Sequence, residues 1–447
     1  MNRVFILSII CVGLLAARPV AAQSGKLGLM DVYSLAKERD AIHAADRFAR
    51  DAGVEKAEQG QAALLPLIRL EAGAGYTDQN VTYKGTDILR GGHTNYPGGT
   101  YAVTLAQPLF RMQNWALMRQ GQAAARMAES AYSLSGQDLI QRVAGAYFNI
   151  LLAQNTIDLI NAQKEAISEH LARAKRSFEV GAASITDTHE AQARYDLALS
   201  REILARHGLL IAREELYKII GQDPAELKPL REDFTPASPE PGNIEKWTED
   251  AARNSPYLKL KQDALAMAEQ ERAKAQGERL PSADLLASYS YLNQGGSNFG
   301  VGMENTSQSV NLRISVPLYT GGALSSRVRE ARANEEKARQ ELEEASRQTR
   351  LWVRGAFLQV VSAQAEVTAL QQALFSSQSA LNSTRQGFEV GLRSAVDALD
   401  AQQQYFDAKH SLARAKYNYL LNLLRLKASA GALDEEGLRQ ISGYIMN

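Results

Sequence analysis

Apolar and polar residues alternate one by one in four short stretches of this chain. They recur every three or four positions in several much longer ones. Ile68, Leu70, Ala72, Ala74 and Tyr76 share one face of an extended segment, and Arg69, Glu71, Gly73, Gly75 and Thr77 share the other. Tyr101, Val103 and Leu105 alternate with Ala102 and Thr104. Ala287, Tyr289 and Tyr291 alternate with Ser288 and Ser290, and Val310, Leu312, Ile314 and Val316 with Asn311, Arg313 and Ser315. Period-two alternation over about ten residues predicts strands with one apolar and one polar face. The stretches near 78–99 and 293–307 are rich in Gly, Asn, Thr and Ser and predict loops joining the strands in pairs.

The long segments predict helices. No proline lies between Pro108 and Pro224 or after Pro317. Arg111–Val180 therefore reads as one helix of about 105 Å, which Gly121, Gly136 and Gly145 interrupt only mildly. Tyr319-Thr320-Gly321-Gly322 opens a counterpart running to about Val390. Leu139, Val143, Tyr147 and Ile150 form one apolar stripe, and Leu370, Leu374 and Leu381 another. Ala, Ser, Gln and charges of both signs fill the other faces. Such length predicts a coiled coil or helical tube with a wet outer surface. Shorter helices are expected over Met30–Arg39, Ala41–Gly60, Trp247–Asn254 and Tyr257–Gly277.

The pattern occurs twice. Phe178-Glu179-Val180-Gly181 returns as Phe388-Glu389-Val390-Gly391 at an offset of 210, followed by Asp187 with Asp397 and Tyr195 with Tyr405. Gln107-Pro108-Leu109-Phe110 answers Val316-Pro317-Leu318-Tyr319. The chain is thus a duplicated structural unit. Residues 23–221 form the first repeat and 244–430 the second. Between them, 222–243 holds five of the twelve prolines and reads as an irregular linker, and 431–447 closes the chain.

Composition narrows the setting. Arg3 precedes an apolar run from Val4 to Ala17, and Val20-Ala21-Ala22 offers small residues for cleavage, so 1–22 is expected to be a signal peptide. The single cysteine, Cys11, falls inside that run without the small-residue context of a lipidated cysteine. A mature chain from Gln23 would hold no disulfide, no thiolate metal site and no lipid anchor. It would carry 48 basic against 50 acidic residues, which argues against a nucleic-acid partner. No later segment is apolar for 18 residues, so no transmembrane helix is expected. Four alternating strands fit a transmembrane barrel, but a barrel needs about eight, and lipid forbids an open edge. Either the hairpins lie outside a membrane or several copies share one barrel; three would supply twelve strands.

There is no phosphate loop, no His-Glu-x-x-His and no Cys-x-x-Cys, and the six histidines lack metal-ligand spacing. Asp187 and His189 have no nucleophile beside them. No enzyme, cofactor or metal is expected. Polar interest concentrates at the two helix–helix turns, Gly181-Ala182-Ala183-Ser184-Ile185-Thr186-Asp187 and Gly391-Leu392-Arg393-Ser394-Ala395-Val396-Asp397. Gly stops one helix and Ser starts the next. A first-turn Asp compensates the helix dipole, but this does not account for Asp400, one turn beyond Asp397 on the same face. Around a rotation axis, Asp397 and Asp400 would form stacked acidic rings.

The two repeated turns, Ala146-Tyr147-Phe148-Asn149, Tyr417-Asn418-Tyr419-Leu420-Leu421 and the paired strands together resemble the TolC family of outer-membrane channels, over nearly the whole mature chain. The resemblance implies a mainly α-helical barrel joined to a transmembrane β-barrel shared by a homotrimer. It also implies an equatorial belt built from the linker and the C-terminal segment. Such a protein sits in the outer-membrane lipid with a long periplasmic portion. It is a passive duct for drug efflux or type I protein secretion, joined to a periplasmic adaptor protein and an inner-membrane transporter. The resemblance further implies a closing network of Arg393 with Thr186 and Asp187, with Phe388 where the best-known member carries tyrosine. It implies cation-binding rings at Asp397 and Asp400, and adaptor-contacting tips at Val180-Gly181-Ala182 and Val390-Gly391-Leu392. A secreted coiled-coil scaffold or adhesin without a pore is the alternative reading.

Overall fold

The computed structural model describes residues 26–85, 91–181, 184–297 and 301–446; the expected signal peptide lies outside them. In chain order the elements are α1 (Leu29–Arg39), α2 (Ala41–Ala62), β1 (Leu67–Val81), β2 (Gly92–Phe110), α3 (Met112–Glu179), α4 (Ile185–Ile220), α5 (Ile244–Asn254) and α6 (Pro256–Gly277). They continue with β3 (Ser282–Gln294), β4 (Met303–Ser315), α7 (Ala323–Glu389), α8 (Ala395–Ser429) and α9 (Glu435–Ser442). Among the described residues no helix is long and apolar enough to cross a membrane.

The four strands form one antiparallel sheet in the order β1-β2-β3-β4. Partners lie on the same face, so the register aligns the alternating residues into rows. Ile68 faces Leu105, Leu105 faces Ala287 and Ala287 faces Val310; Ala72, Tyr101 and Tyr291 form another such row. One face is therefore apolar, and Ile68, Leu70, Val310, Leu312 and Ile314 on it are all exposed. The Tyr101 ring stacks on Tyr291 at 5.0 Å and Tyr289 at 6.3 Å. The opposite face is small and polar: Arg69 faces Thr104, Thr104 faces Ser288 and Ser288 faces Ser309. The strands outrun the alternation. β1 continues through Asp78-Gln79-Asn80-Val81, and β2 begins at Gly92, inside the stretch expected as a loop. Once the apolar rows set the register, the ladder extends through polar residues at no steric cost.

β1 and β4 form the two edges, and among the described residues no strand pairs with the outer side of either. Below the sheet the helices form a wall. α2 and α6 flank the sheet-proximal half of α3, with α7 beyond α6; α4 and α8 flank the far half of α3, with α7 beyond α8. Exposed apolar residues line both flanks. Leu197, Leu204 and Ile211 recur every seven residues on α4, as do Leu351 and Leu358 on α7. Seven-residue spacing is the signature of a helix face prepared for another helix.

One contact ties the wall to the sheet, and another packs its helices just below. The Arg111 guanidinium donates to both carboxylate oxygens of Asp284 on β3, at 2.7 and 2.6 Å, where the helix leaves β2. Gly121 lets α2 and α3 cross closely, because a Cβ there would stand 2.2 Å from the Lys56 carbonyl oxygen. That glycine, expected only as a mild interruption, is a packing requirement.

The main core lies midway along the wall. Buried Leu139, Val143, Tyr147 and Phe148 of α3 meet Val353 and Val360 of α7 and Leu420 and Leu424 of α8. The segment 222–243 contains no helix and runs across this level, with Leu27 bridging Leu227 and Leu230 bridging Ile445. Phe234 on it packs against Tyr419 and Tyr444. The Tyr147 hydroxyl donates to the backbone oxygens of Leu27, at 3.2 Å, and Lys228, at 2.7 Å. Burial raises the pKa of that hydroxyl, so it stays a donor at every physiological pH.

Gly121→Ala should destabilise the assembled protein by about 1–3 kcal/mol through overpacking at the α2–α3 crossing. Tyr147→Phe should cost about 1–2 kcal/mol, because two backbone oxygens lose a buried donor. Thermal or denaturant unfolding of the detergent-solubilised protein measures both, and Gly136→Ala, where a Cβ meets nothing within 4 Å, is the control.

Candidate periplasmic mouth

The two turns farthest from the sheet are built alike. α3 ends at Glu179, and Gly181 takes φ 74°; α7 ends at Glu389, and Gly391 takes φ 77°. Only glycine enters that left-handed region without strain. In the second turn, the Leu392 and Arg393 N–H groups donate to the Gly387 carbonyl at 2.7 and 3.1 Å, closing the helix end. Val180, Val390 and Leu392 stand almost free at the tips, 78%, 70% and 82% exposed. Ala182 lies outside the described residues.

Ser184 and Ser394 cap the returning helices. The Ser184 hydroxyl accepts from the Thr186 N–H at 3.1 Å, and Asp187 accepts from the Ser184 N–H at 3.3 Å. Ser394 accepts from the Asp397 N–H at 3.1 Å, and Asp397 accepts from the Ser394 N–H at 3.0 Å. Each Asp thus completes a capping box, a local role beyond dipole compensation. The Ser394 backbone and hydroxyl bonds, with Arg393 nearby, hold the Asp397 carboxyl below the usual range. It stays ionised to lower pH than an ordinary aspartate.

The closing residues are placed at this level but are not joined within one chain. Thr186 and Asp187 begin α4, while Phe388 and Arg393 end α7 and follow it. Among the described residues Arg393 makes no hydrogen bond or ion pair with Thr186 or Asp187. Its side chain lies over Gly387, where a Cβ would stand 2.8 Å from the Arg393 Cγ. The Phe388 ring instead meets His170 of α3, centroids 6.1 Å apart. His170 is buried, and its pKa falls below the ordinary value, first because burial disfavours the charged ring and then because Arg173 and Arg385 repel it.

Asp400 is engaged with another helix. Its carboxylate lies 2.8 Å from a guanidinium nitrogen of Arg194 on α4, which also holds Glu190 at 3.1 Å. Burial opposes the Arg194 charge, but the two carboxylates outweigh it and raise the pKa. One turn along α8, Gln403 accepts a hydrogen bond from Gln163 of α3 and a longer one, 3.5 Å, from Arg201 of α4. Beside these contacts Ile167, Ala198 and Leu399 form a small buried cluster with Tyr195 packed against it. Arg194, Gln163, Gln403 and His170 were not singled out in the sequence. Their partners lie roughly 200 residues away or on another helix, and no spacing announces them. Among the described residues no group of three or more His, Cys, Asp or Glu could hold a metal ion.

Comparison with known proteins agrees with this architecture. The family model "Outer membrane efflux protein" matches residues 32–222 and 247–432, one match in each repeat. Outer membrane protein TolC of Escherichia coli is 34% identical over 429 residues, covering 93% of this chain and 85% of that protein. TolC of Vibrio cholerae is 32% identical, covering 93% of each. The alkaline protease secretion protein AprF of Pseudomonas aeruginosa is 32% identical, covering 94% of this chain and 88% of that one. Among solved structures, the Campylobacter jejuni CmeC outer membrane channel superposes with a TM-score of 0.78 at 15% identity, covering 94% and 90%. That last likeness is one of fold. Matched in both repeats by the family model and over nearly its whole length by close relatives, the chain belongs to the outer membrane efflux protein family, the TolC-like channels.

Proposed function

We infer that this chain is the outer-membrane exit duct of a tripartite export system. Membership of a family of outer-membrane channels supports the location and the passive role. The observation that carries the reading is the open sheet: an apolar face continuous across four strands, with two unpaired edges, above a wall of helices. In lipid those edges must be paired. Three copies joining β4 to the next β1 would close a twelve-stranded barrel, and the apolar flanks of α4 and α7 would meet around the tube below it. Nothing in the fold favours a poreless scaffold or adhesin.

The tips are the proposed docking points for a periplasmic adaptor coupled to an inner-membrane transporter. Val180, Val390 and Leu392 expose apolar side chains on rigid, glycine-closed turns. Relatives named for protease secretion and for efflux both match this sequence over most of its length, so protein secretion and efflux are both within its reach. In the resting mouth, Arg393 would bond Thr186 and Asp187 of a neighbouring copy, since within its own chain it bonds neither of them. Phe388 cannot donate a side-chain hydrogen bond there. Asp397 and Asp400, repeated around the axis, would line the mouth with carboxylates and favour cations.

Native mass spectrometry of the detergent-solubilised protein should give a trimer that fractionates with the outer membrane. Crosslinking through cysteines placed at Val180 or Leu392 should capture an adaptor; a stable monomer, or an inner-membrane fraction, contradicts the reading. Arg393→Ser should raise resting conductance in planar bilayers, because a charge-assisted bond of about 1.5–3 kcal/mol per copy is lost. Phe388→Tyr should lower it if the new hydroxyl reaches Asp187. Asp397→Ala combined with Asp400→Ala should abolish cation preference and block by trivalent cations added from the periplasmic side.

A further inference from the structure

We propose that Arg194 is both the latch between the two helical hairpins and the residue that sets the charge of the resting mouth, through its ion pair with Asp400. The inference rests on the channel reading above and concerns which residues hold and tune that channel.

The geometry points to it in three ways. First, the pair crosses between hairpins: Arg194 belongs to the α3–α4 hairpin and Asp400 to the α7–α8 hairpin, 2.8 Å apart. Second, it sits within a narrow seam. α8 presents Asp400 and, one turn on, Gln403, which meet Arg194 and then Gln163 and Arg201. Behind them lies the small apolar cluster of Ile167, Ala198 and Leu399. The extensive core at mid-height joins both hairpins. This lower seam is small enough to part without disturbing that core. Third, the arginine is positioned in advance. Glu190, one turn before it on α4, accepts from the same guanidinium nitrogen at 3.1 Å.

The electrostatic consequence follows from the pairing. An acidic ring attracts cations only as far as its carboxylates are uncompensated. With Arg194 against each Asp400, the carboxylates at that level are partly compensated while the seam is closed, Glu190 sharing the same cation, and Asp397 carries more of the resting charge. Asp397 is fixed in its capping box and, among the described residues, forms no ion pair, although Arg393 stands near it. When the hairpins separate, Arg194 can remain with Glu190, and Asp400 is left as a free carboxylate facing the passage. Opening would therefore make the mouth more acidic as well as wider.

The test is a cycle of variants recorded as full-length trimers in planar bilayers. Arg194→Gln and Asp400→Asn should each raise resting conductance, roughly fivefold, which corresponds to about 1 kcal/mol at 1.4 kcal/mol per tenfold. Their effects on selectivity should have opposite signs. Arg194→Gln uncovers Asp400 and should increase cation preference and tighten block by hexaamminecobalt(III). Asp400→Asn uncovers Arg194 and should reduce both. The double variant should match either single one in conductance and return toward the parent in selectivity, and Arg194→Lys should stay close to the parent in both. A purely structural loosening would move conductance without that reversal of sign. The proposal is overturned if Arg194→Gln leaves conductance and reversal potential at parental values, or if the two single effects on conductance add in the double variant. A parent protein that forms no conductance would overturn the channel reading itself, an outcome distinct from either.

Discussion

A backbone amide in hydrocarbon has no water to turn to, and much of this molecule is organised around that constraint. Two of its four strands present unpaired edges, next to a face of exposed isoleucine, leucine, valine and tyrosine. A soluble sheet would blunt such edges with charge or cover them with a helix. Here no helix covers them among the described residues, as fits a sheet completed by other copies. Oligomerisation is then a condition of burying the backbone, and the symmetry of the assembly follows from how many strands close a ring.

The same condition propagates down the chain. Each strand enters or leaves the sheet through a helix, so the order of strands around the barrel dictates the order of helices around the tube. Arg111 on Asp284 and the close α2–α3 crossing at Gly121 make that transition stiff. The internal duplication supplies four strands and four long helix faces from one plan. The linker 222–243 crosses the wall where the two repeats share one core, and Tyr147 ties it down by hydrogen bonds to backbone oxygens on both sides.

Stability is distributed unevenly along the wall, and this suits a gated duct. Mid-height carries nearly all the large buried side chains. The far end has one three-residue apolar cluster, a few scattered buried residues such as Leu171, Leu381 and Ala398, some polar contacts and exposed tips. Motion concentrates where few apolar contacts must be broken. The capping boxes at Ser184 and Ser394 keep the helices intact up to the turns, so each hairpin can move as a rigid lever instead of fraying.

Much of this was legible in the sequence because it rests on local periodicity. Alternation at Ile68–Tyr76 and Val310–Val316 marked strands and their apolar face. The absence of proline marked the long helices nearly to the residue, and Gly-to-Ser punctuation marked the turns. Duplication showed in matched motifs. What the tertiary structure alone decided are contacts between distant segments. β2 pairs with β3 across the two repeats, and the ladders run on into Gly- and Asn-rich sequence because backbone pairing, once begun, does not depend on side-chain polarity. Gly121 is needed because another backbone passes beside it. Asp400 meets Arg194, and Phe388 meets His170. Periodicity tells which face of a helix is buried, but not which helix covers it, because that depends on how far the whole wall twists between the sheet and the tips.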